Sequence, residues 1–316
     1  MRVGLIVDSA CDLPHEFTRQ NGIVILPVTA RIDDQTYIDD HDPVKTAEFY
    51  ERGLLQKGHH AETEAFSAEQ IQDLFLKDIV TRYDVAFCET VTRSRSLIFD
   101  NATEAMNSVM AHYQEAREKA GLDGRFSMRV IDSKQIFAGQ GLLAAHTLRL
   151  IDENLSKNAL RNRVEDFTDR IYTCVIPRDL HYIRERARRR GDKSVSWFGA
   201  FLGKALNITP VIFGQGAEGR PVAKTRRFDV AVEKVMQYAA SRVRDGLLSP
   251  YVCLSCGLSW EEINALPGLD ELKAACDENG VQLLLSQMGI TSSIYIGPGS
   301  LCLSLGAEAH DFTDYQ

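Results

Sequence analysis

Short apolar runs alternate with amphipathic segments through the first half of the chain, and this alternation constrains the fold most strongly. The runs are rich in β-branched residues, as strands are, while the segments between them repeat apolar residues at helical spacing. Strands are predicted at residues 3–7, 23–32, 85–89 and 128–131, and helices at residues 46–55, 68–81, 99–119 and 140–152. Because helices follow strands, we expect a three-layer α/β unit with a mainly parallel sheet.

The second half of the chain has more predicted strands and fewer helices between them. These strands are predicted at residues 171–176, 211–213, 222–226, 251–255, 282–286 and 293–305. The pattern indicates a mixed sheet covered by helices on one side, which is a two-layer arrangement. A polar stretch at residues 154–161 interrupts the apolar pattern. The predicted fold class is therefore α/β with two unlike domains, residues 1–157 and residues 158–316.

Composition limits the class of function and the compartment. The formal net charge of −8 at pH 7 argues against a general nucleic-acid-binding protein, whose surface would be strongly basic. The apolar run that ends before Asp8 is too short for a signal peptide or a membrane span, so we expect a cytoplasmic protein. The seven cysteines lie in apolar segments, as small buried side chains do. Cys253 and Cys256 form a CxxC without a second pair, which favours a structural role over zinc or redox chemistry.

Polar loops follow the predicted strands of the first half. Their sequences are DSACDLP at residues 8–14, HAETEAFS at 60–67, ETVTRSRS at 89–96 and IDSKQIFAGQG at 131–141. Ligands bind outside the carboxyl ends of parallel strands, and hydroxyl donors at such an edge suit an oxyanion. Ser, Thr and Asp are also ordinary turn and N-cap residues, so local structure is the preferred explanation for any one of them, and the functional signal is that several occur at one edge.

A series of short motifs runs along nearly the whole chain. They are VDSACDLP at residues 7–14, ILPVTARID at 25–33 leading to Tyr37 and Asp39, Thr63 with Ser67, Ser96 with Ala102, VIDSKQIFAGQG at 130–141, LNITPVI at 206–212, AKTRR at 223–227 and IGPGS at 296–300. Their order and spacing resemble those of the DegV family of bacterial lipid-binding proteins. The resemblance implies two unlike α/β domains with an acyl chain buried between and within them, as in the fatty-acid-binding subunits of bacterial fatty acid kinase.

The resemblance also implies where the head group of the lipid would lie. In the family, hydroxyls from a Thr-Ser-Gln-Pro-Ser run and a Ser-Gly-Thr run surround the head group, with a His beside a Gly-Pro-Gly turn. The matching positions predict a ligand site formed by Ser9, Thr63, Glu64, Ser96, Leu97, Ile98, Tyr295, Gly297 and Gly299. A separate kinase subunit, which carries the ATP, phosphorylates the bound lipid, so the chain itself is predicted to be a non-enzymatic carrier without a cofactor or metal.

Four positions depart from the family pattern. Glu64 replaces a hydroxyl, Leu97 and Ile98 replace a Gly and a Thr, and Tyr295 replaces the His. A carboxylate beside a carboxylate head group is repulsive unless a cation intervenes, and Arg93 or Arg95 is the expected cation. Alternatively, Glu64 points to solvent at the start of the following helix, where the helix dipole favours it. Tyr295 retains one hydrogen-bond donor.

A basic and aromatic stretch lies in the second half of an otherwise acidic chain. Arg188, Arg189 and Arg190 precede Trp197 and Phe198. Cations beside aromatic rings are typical of segments that bind membrane surfaces, which predicts a transient membrane or partner contact. The alternative is that the rings line the acyl tunnel while the arginines form a solvated helix face.

Two classes of function remain open from the sequence. The first is a carrier that holds a fatty acid or related acyl lipid and presents its head group to a partner. The second is a hydrolase or phosphotransferase that uses Ser96 or Tyr295, although the chain has no GxSxG elbow or P-loop. Residues 33–42 and 59–64 carry oxygen and imidazole groups without a metal-site spacing, and residues 214–220 are predicted to form a hairpin turn.

Overall fold

The computed structural model describes residues 2–55, 60–183, 186, 208–215 and 218–312. A four-stranded parallel sheet, the first sheet, forms the centre of the first half, with strand order β2-β1-β6-β7. Its strands are β1 Val3–Asp8, β2 Val24–Leu26, β6 Val85–Thr90 and β7 Ser127–Asp132. All six residues of β6 are buried, as expected for a parallel strand covered on both faces.

Helices cover both faces of the first sheet, which confirms the predicted three layers. They are α1 His15–Gln20, α3 Ala68–Leu74, α4 Ile98–Lys119 and α5 Ala138–Asp152. A further helix, α2 Pro43–Glu51, packs through Phe49 against Ala30 and Ile32 instead. A π-helical turn at Phe75–Ile79 continues α3. The buried side chains of this turn and of α4 pack with Ile6 and Cys88 on one face, while Leu142 and Leu143 of α5 pack on the other.

A small antiparallel sheet, with order β4-β3-β5, was not predicted. It consists of β3 Val28–Ile32, β4 Gln35–Asp39 and β5 Ala61–Ala65. The prediction of one strand at residues 23–32 is wrong, because the chain leaves the first sheet at Pro27. Proline lacks the N–H that a central strand must donate, so β2 and β3 separate there and join different sheets.

The second half contains a six-stranded mixed sheet, the second sheet, with order β10-β9-β8-β13-β11-β12. Its strands are β8 Ile171–Ile176, β9 Thr209–Gln215, β10 Glu218–Thr225, β11 Tyr251–Cys256, β12 Gln282–Gln287 and β13 Leu301–Gly306. β11 and β12 pair in parallel, and the other neighbouring strands pair antiparallel. The predicted mixed sheet is thereby confirmed, and β9 and β10 are adjacent, as a hairpin at residues 214–220 requires.

Several helices are described in the second half, and the last of them overlaps the strand that was predicted at residues 293–305. They are α6 Lys157–Thr168, α7 Phe228–Asp245, α8 Trp260–Asn264, α9 Leu269–Glu278 and α10 Ile290–Ile296. The prediction of one strand at residues 293–305 is therefore wrong, since α10 and β13 share this range. Gly297 and Gly299 have φ angles of 94° and 74°, which side chains rarely adopt, and they turn the chain between the helix and the strand.

One helix is shared between the two halves. α7 and α9 cover one face of the second sheet, while α5 packs on β8, β11 and β13 at the opposite face and also contacts β1 and β6. A buried carboxylate on the β1–α1 loop, Asp12, accepts hydrogen bonds from Ser255 at 2.5 Å and from the Gly289 N–H at 3.0 Å. The boundary between residues 1–157 and 158–316 falls at the start of α6 and stays a prediction.

All seven cysteines are buried and carry free thiols, in agreement with the predicted structural role. Burial raises the pKa of Cys302 to about 12, which keeps that thiol protonated and unreactive. The cysteines therefore contribute to the core as small apolar side chains.

Within the described residues, none of the helices has the length and apolar character needed to cross a bilayer.

Candidate ligand-binding site

A cleft of about 940 Å³ opens at the carboxyl ends of β1, β6 and β7, and we call it the first cleft. Its walls come from the loop after β6, the end of β5, the start of α5 and one side of α10. Most of the predicted ligand residues line it, namely Thr63, Glu64, Ser96, Leu97, Ile98 and Tyr295. The structure thus brings together residues from three separate sequence segments, and the volume is within the range of small-molecule sites.

The loop between β6 and α4 supplies one wall of the first cleft. The Ser96 hydroxyl accepts a hydrogen bond from the Ile98 N–H at 3.2 Å, which holds Ser96 at the start of α4. Ile98 is fully buried in the helix, whereas Leu97 is 69% exposed at the rim. Arg93, Ser94 and Arg95 also line the cleft, so this wall combines hydroxyl groups with cations.

Glu64 lies in β5, beside Thr63, and not at a helix start. Ser67 is the residue that caps α3, through a capping box with Gln70. Glu64 is exposed, and its carboxylate pairs with Arg31 on β3 at 2.6 Å. Arg31 is therefore a cation partner of Glu64 that the sequence did not predict, because β5 aligns antiparallel with β3 and places the two side chains together. Arg93 pairs with Asp100 at 3.1 Å instead.

Tyr295 forms the opposite wall, on α10. Its ring packs edge-on against Phe137 with a centroid distance of 5.7 Å, and the Arg186 guanidinium lies 5.9 Å from the ring centre. Thr291 lies one helical turn earlier and also lines the cleft, because residues four apart share a helix face. Its hydroxyl is buried without a hydrogen-bond partner in the described part of the chain. Thr291 was missed because α10 was not predicted, and the predicted strand began only at residue 293.

Asp8 forms the floor of the first cleft and was also missed as a site residue. Its carboxylate is fully buried and accepts hydrogen bonds from the Val91 N–H at 2.5 Å and the Ala10 N–H at 2.9 Å. Burial raises the pKa of Asp8 to about 6, although these two hydrogen bonds act in the opposite direction. The sequence did contain a signal for this position, because Asp8 directly follows the strand predicted at residues 3–7, where ligands bind in parallel sheets.

The remaining predicted site residues do not line the first cleft. Ser9 is fully buried, and its hydroxyl accepts a hydrogen bond from the Val28 N–H at 3.0 Å and donates to the Asp39 carbonyl at 2.5 Å. Gly297 lets the end of α10 approach Tyr182, since an added Cβ would lie 2.9 Å from that ring. Gly299 approaches the side chain of Arg178 in the same way. These three residues shape the surroundings of the site.

The basic and aromatic stretch lies outside the described residues. It comprises Arg188, Arg189, Arg190, Trp197 and Phe198. Arg186 is a described residue that precedes this stretch, and its guanidinium donates a hydrogen bond to the Ala61 carbonyl at 2.6 Å. The predicted membrane or partner contact of this stretch stays a prediction.

The first cleft combines hydroxyl groups, arginines and apolar walls with the carboxylates of Asp8 and Glu64. Hydroxyl groups of Ser96 and Thr291 and the cations of the β6–α4 loop converge on one opening. Val28, Val91 and Ile136 line the cleft beside them. A carboxylate can be hydrogen-bonded at such an opening while an attached hydrocarbon remains in contact with apolar side chains.

Known proteins resemble this chain in sequence and in fold. The sequence model of the uncharacterised DegV family matches residues 2–308. A DegV domain-containing protein of Xanthomonas axonopodis pv. citri is 42% identical over 313 residues, which cover 99% of this chain and 100% of that protein. Among solved structures, DegV, a fatty acid binding protein from Bacillus subtilis, aligns with a TM-score of 0.74 and 18% identity over 98% of this chain and 100% of its own.

A second solved structure has the same fold. A stearic acid-binding protein from Eubacterium ventriosum aligns with a TM-score of 0.76 and 21% identity, over 96% of this chain and 98% of its own. The likeness extends over both α/β halves, so it covers the predicted two-domain architecture as a whole. Since the family pattern spans nearly the whole sequence, the chain belongs to the DegV family.

Proposed function

We propose that this protein is a lipid carrier that holds a long-chain fatty acid, with the carboxylate head group in the first cleft. The observation that carries this proposal is the convergence of hydroxyl groups, cations and apolar walls at the carboxyl ends of β1, β6 and β7. The fold-level likeness to proteins described as fatty acid binding supports it.

The energetics favour an acyl ligand over a short-chain acid. Burial of each methylene contributes about 0.8 kcal/mol, so a long chain supports tight binding even after its ordering cost. The head group must then be hydrogen-bonded, because an unpaired carboxylate is costly away from water. Thr63, Ser96 and Thr291 are positioned to donate to it, and Tyr295 takes the place of the family histidine.

The carrier acts with a partner in this proposal. The head group lies at an opening whose rim carries the 69% exposed Leu97, so a second protein can reach both the lipid and the rim. A kinase subunit that supplies ATP is the proposed partner, and the carrier itself performs no catalysis. The bound fatty acid is then its ligand, without a further cofactor, and the proposed compartment is the cytoplasm.

The sequence of the basic and aromatic stretch supports a further part of the cycle. A carrier collects its lipid from a membrane, and Arg188, Arg189 and Arg190 beside Trp197 and Phe198 have the composition of a surface-binding segment. The proposed contact is transient. Binding to anionic vesicles should weaken as salt rises and in a variant with the three arginines changed to Gln.

Native mass spectrometry tests the carrier proposal. We expect protein expressed in bacteria and purified without detergent to retain an added mass equal to a long-chain fatty acid. Organic extraction should remove this mass and release the free acid for identification by its own mass. A protein that carries no acyl mass, and that also fails to take up added palmitate, would contradict the proposal.

A further inference from the structure

A second cleft, of about 790 Å³, lies on the other side of the β1–α1 loop. It opens at the carboxyl ends of β11 and β12, the parallel pair of the second sheet, and is bounded by α2 and by the loop that precedes α8. The carboxyl ends of adjacent parallel strands are where open α/β sheets bind ligands. The second cleft therefore occupies, in the second sheet, the position that the first cleft occupies in the first.

The second cleft is more acidic than the first, whose described lining carries two arginines beside two carboxylates. Carboxylates of Asp12, Glu16, Glu51 and Glu262 line it, and no Lys or Arg is among its described lining residues. Glu16 pairs with Arg19 at 2.6 Å, and Glu262 accepts the Ser259 N–H at 2.9 Å. Glu51 forms no ion pair within the described chain. An anion would meet uncompensated negative charge here, whereas a cation would be attracted.

A buried hydroxyl points to a ligand in the second cleft. Ser286 is 2% exposed and lines the cleft, and its Oγ has no hydrogen-bond partner in the part of the chain that the structure describes. Native proteins pair nearly all such groups, so an unpaired one facing a cavity is a position where a ligand can bind. A hydroxyl oxygen can accept a hydrogen bond from an ammonium group.

His41 provides a second acceptor at the same cleft. Its Nε2 lies 2.9 Å from the Ser9 carbonyl, which can only accept, so Nε2 carries the proton. In the neutral ring Nδ1 is then an acceptor. The backbone of His41 has a φ of 60°, an uncommon conformation outside glycine that is often found at binding sites.

The rim of the second cleft carries an aromatic ring. Trp260 is 50% exposed, and Leu13 and Leu258 line the cleft with it. Trp is the side chain whose ring face attracts a cation most strongly. The cleft thus combines acceptors and carboxylates with an aromatic and apolar rim. A divalent metal is not favoured, because no cluster of three or more His, Cys, Asp or Glu ligands occurs among the described residues.

We propose that the second cleft is a binding site for a small organic cation, a primary amine attached to an apolar or aromatic body. The ammonium group donates to Ser286 and His41 and is balanced by Asp12 and Glu51. The apolar body lies against Trp260 and the leucines. The site is separate from the first cleft, so its occupancy does not depend on the proposed lipid.

Calorimetric titration with three compounds of similar size tests the class of ligand. Phenethylamine is the cation, phenethyl alcohol is the neutral analogue, and phenylacetate is the anion. With the full chain at about pH 7.5, where the buried carboxyls are mostly ionised, we expect the amine to bind roughly tenfold more tightly than the alcohol and phenylacetate not to bind. Equal affinity for all three compounds, or binding of phenylacetate alone, would overturn the proposal.

Matched variants locate the amine in the second cleft. Ser286→Ala should weaken phenethylamine binding about fivefold, since one hydrogen bond is lost. Ser249→Ala is its control, because Ser249 is also 2% exposed with an unpaired hydroxyl but does not line the cleft. Glu51→Gln should weaken binding about threefold, and Glu48→Gln on the same helix should not.

Palmitate affinity separates this site from the proposed lipid site. Palmitate binding should be unchanged in Ser286→Ala and Glu51→Gln. If palmitate does not bind at all while the amine binds as expected, the carrier proposal fails and the amine site stands. Unchanged amine affinity in both Ser286→Ala and Glu51→Gln, or displacement of the amine by palmitate, would contradict a separate cation site.

Discussion

The first and second clefts lie on opposite sides of one loop, but their charged side chains differ. Asp8 at the end of β1 and Ala10 of this loop face the first cleft, where Arg93 and Arg95 offset the carboxylates of Asp8 and Glu64. Asp12 and the residues that follow it face the second cleft, where the described charged side chains are carboxylates and histidines. The fold places both clefts at strand carboxyl ends, but the side chains determine which charge each one selects.

The largest expected effect concerns the hydroxyl groups of the first cleft. The double variant Thr63→Ala, Ser96→Ala should weaken palmitate binding by ~2 kcal/mol, about 30-fold, at ~1 kcal/mol for each lost hydrogen bond. Thr103→Ala is the control, since its hydroxyl is bonded to the Phe99 carbonyl on α4 outside the cleft. Fluorescent fatty acid displacement measures the affinity. Unchanged palmitate affinity in a folded double variant would remove these residues from the site, and phenethylamine affinity should not change.

The next largest expected effect is that palmitate affinity at the first cleft and phenethylamine affinity at the second cleft change in opposite directions with pH. Burial raises the pKa of Asp8 and of Asp12 to about 6 each. Protonation of Asp8 removes a negative charge from the floor of the first cleft, so palmitate should bind more tightly as pH falls through about 6. Ionisation of Asp12 adds a negative charge to the second cleft, so phenethylamine should bind more tightly as pH rises through about 6.

Titrations from about pH 5 to about pH 7.5 measure both dependences, and we expect a roughly fivefold change in each affinity. His41 interacts electrostatically with both carboxyls, but burial is the largest cause of each raised pKa. Asp8→Asn should flatten the palmitate curve alone, and Asp12→Asn the phenethylamine curve alone. If the two curves run in the same direction, the contrast between the clefts is wrong.

A smaller effect is expected from the ion pair at the rim of the first cleft. Arg31 and Glu64 are both about half exposed, so their interaction is screened by solvent. Arg31→Gln leaves the Glu64 charge uncompensated and should weaken palmitate binding by about 0.5 kcal/mol, roughly twofold. In a Glu64→Gln background the same change should have no effect, which a double-mutant cycle measures. Additive effects would show that Glu64 does not act on the head group.

The sequence was sufficient to predict β1, β6 and β7 of the first sheet, whereas β2 was merged with β3. Thr63, Ser96 and Tyr295 line the first cleft, and all three were chosen from motif positions. Ser9 came from the same motifs, but its hydroxyl bonds to the backbone where β2 and β3 separate. A motif gives the position of a residue along the chain, whereas the hydrogen-bond partners of its side chain depend on the fold.

Other features depend on contacts that a single sequence does not encode locally. The Arg31 and Glu64 pair requires β5, whose residues Ala61–Ala65 are largely polar and lack the apolar pattern of a strand. Thr291 requires α10, a seven-residue helix too short for its periodicity to be distinguished from a strand. The sharing of α5 between both sheets likewise depends on how the two halves pack.

The central claim is that the first cleft holds an ionised acyl carboxylate, and NMR of palmitate with an isotopically labelled carboxyl carbon tests it most directly. We predict one bound carboxyl signal that reports an ionised head group at neutral pH and that shifts in Thr63→Ala, Ser96→Ala but not in Thr103→Ala or Ser286→Ala. A bound signal that is insensitive to the double variant, or that reports a protonated acid at neutral pH, would contradict the claim.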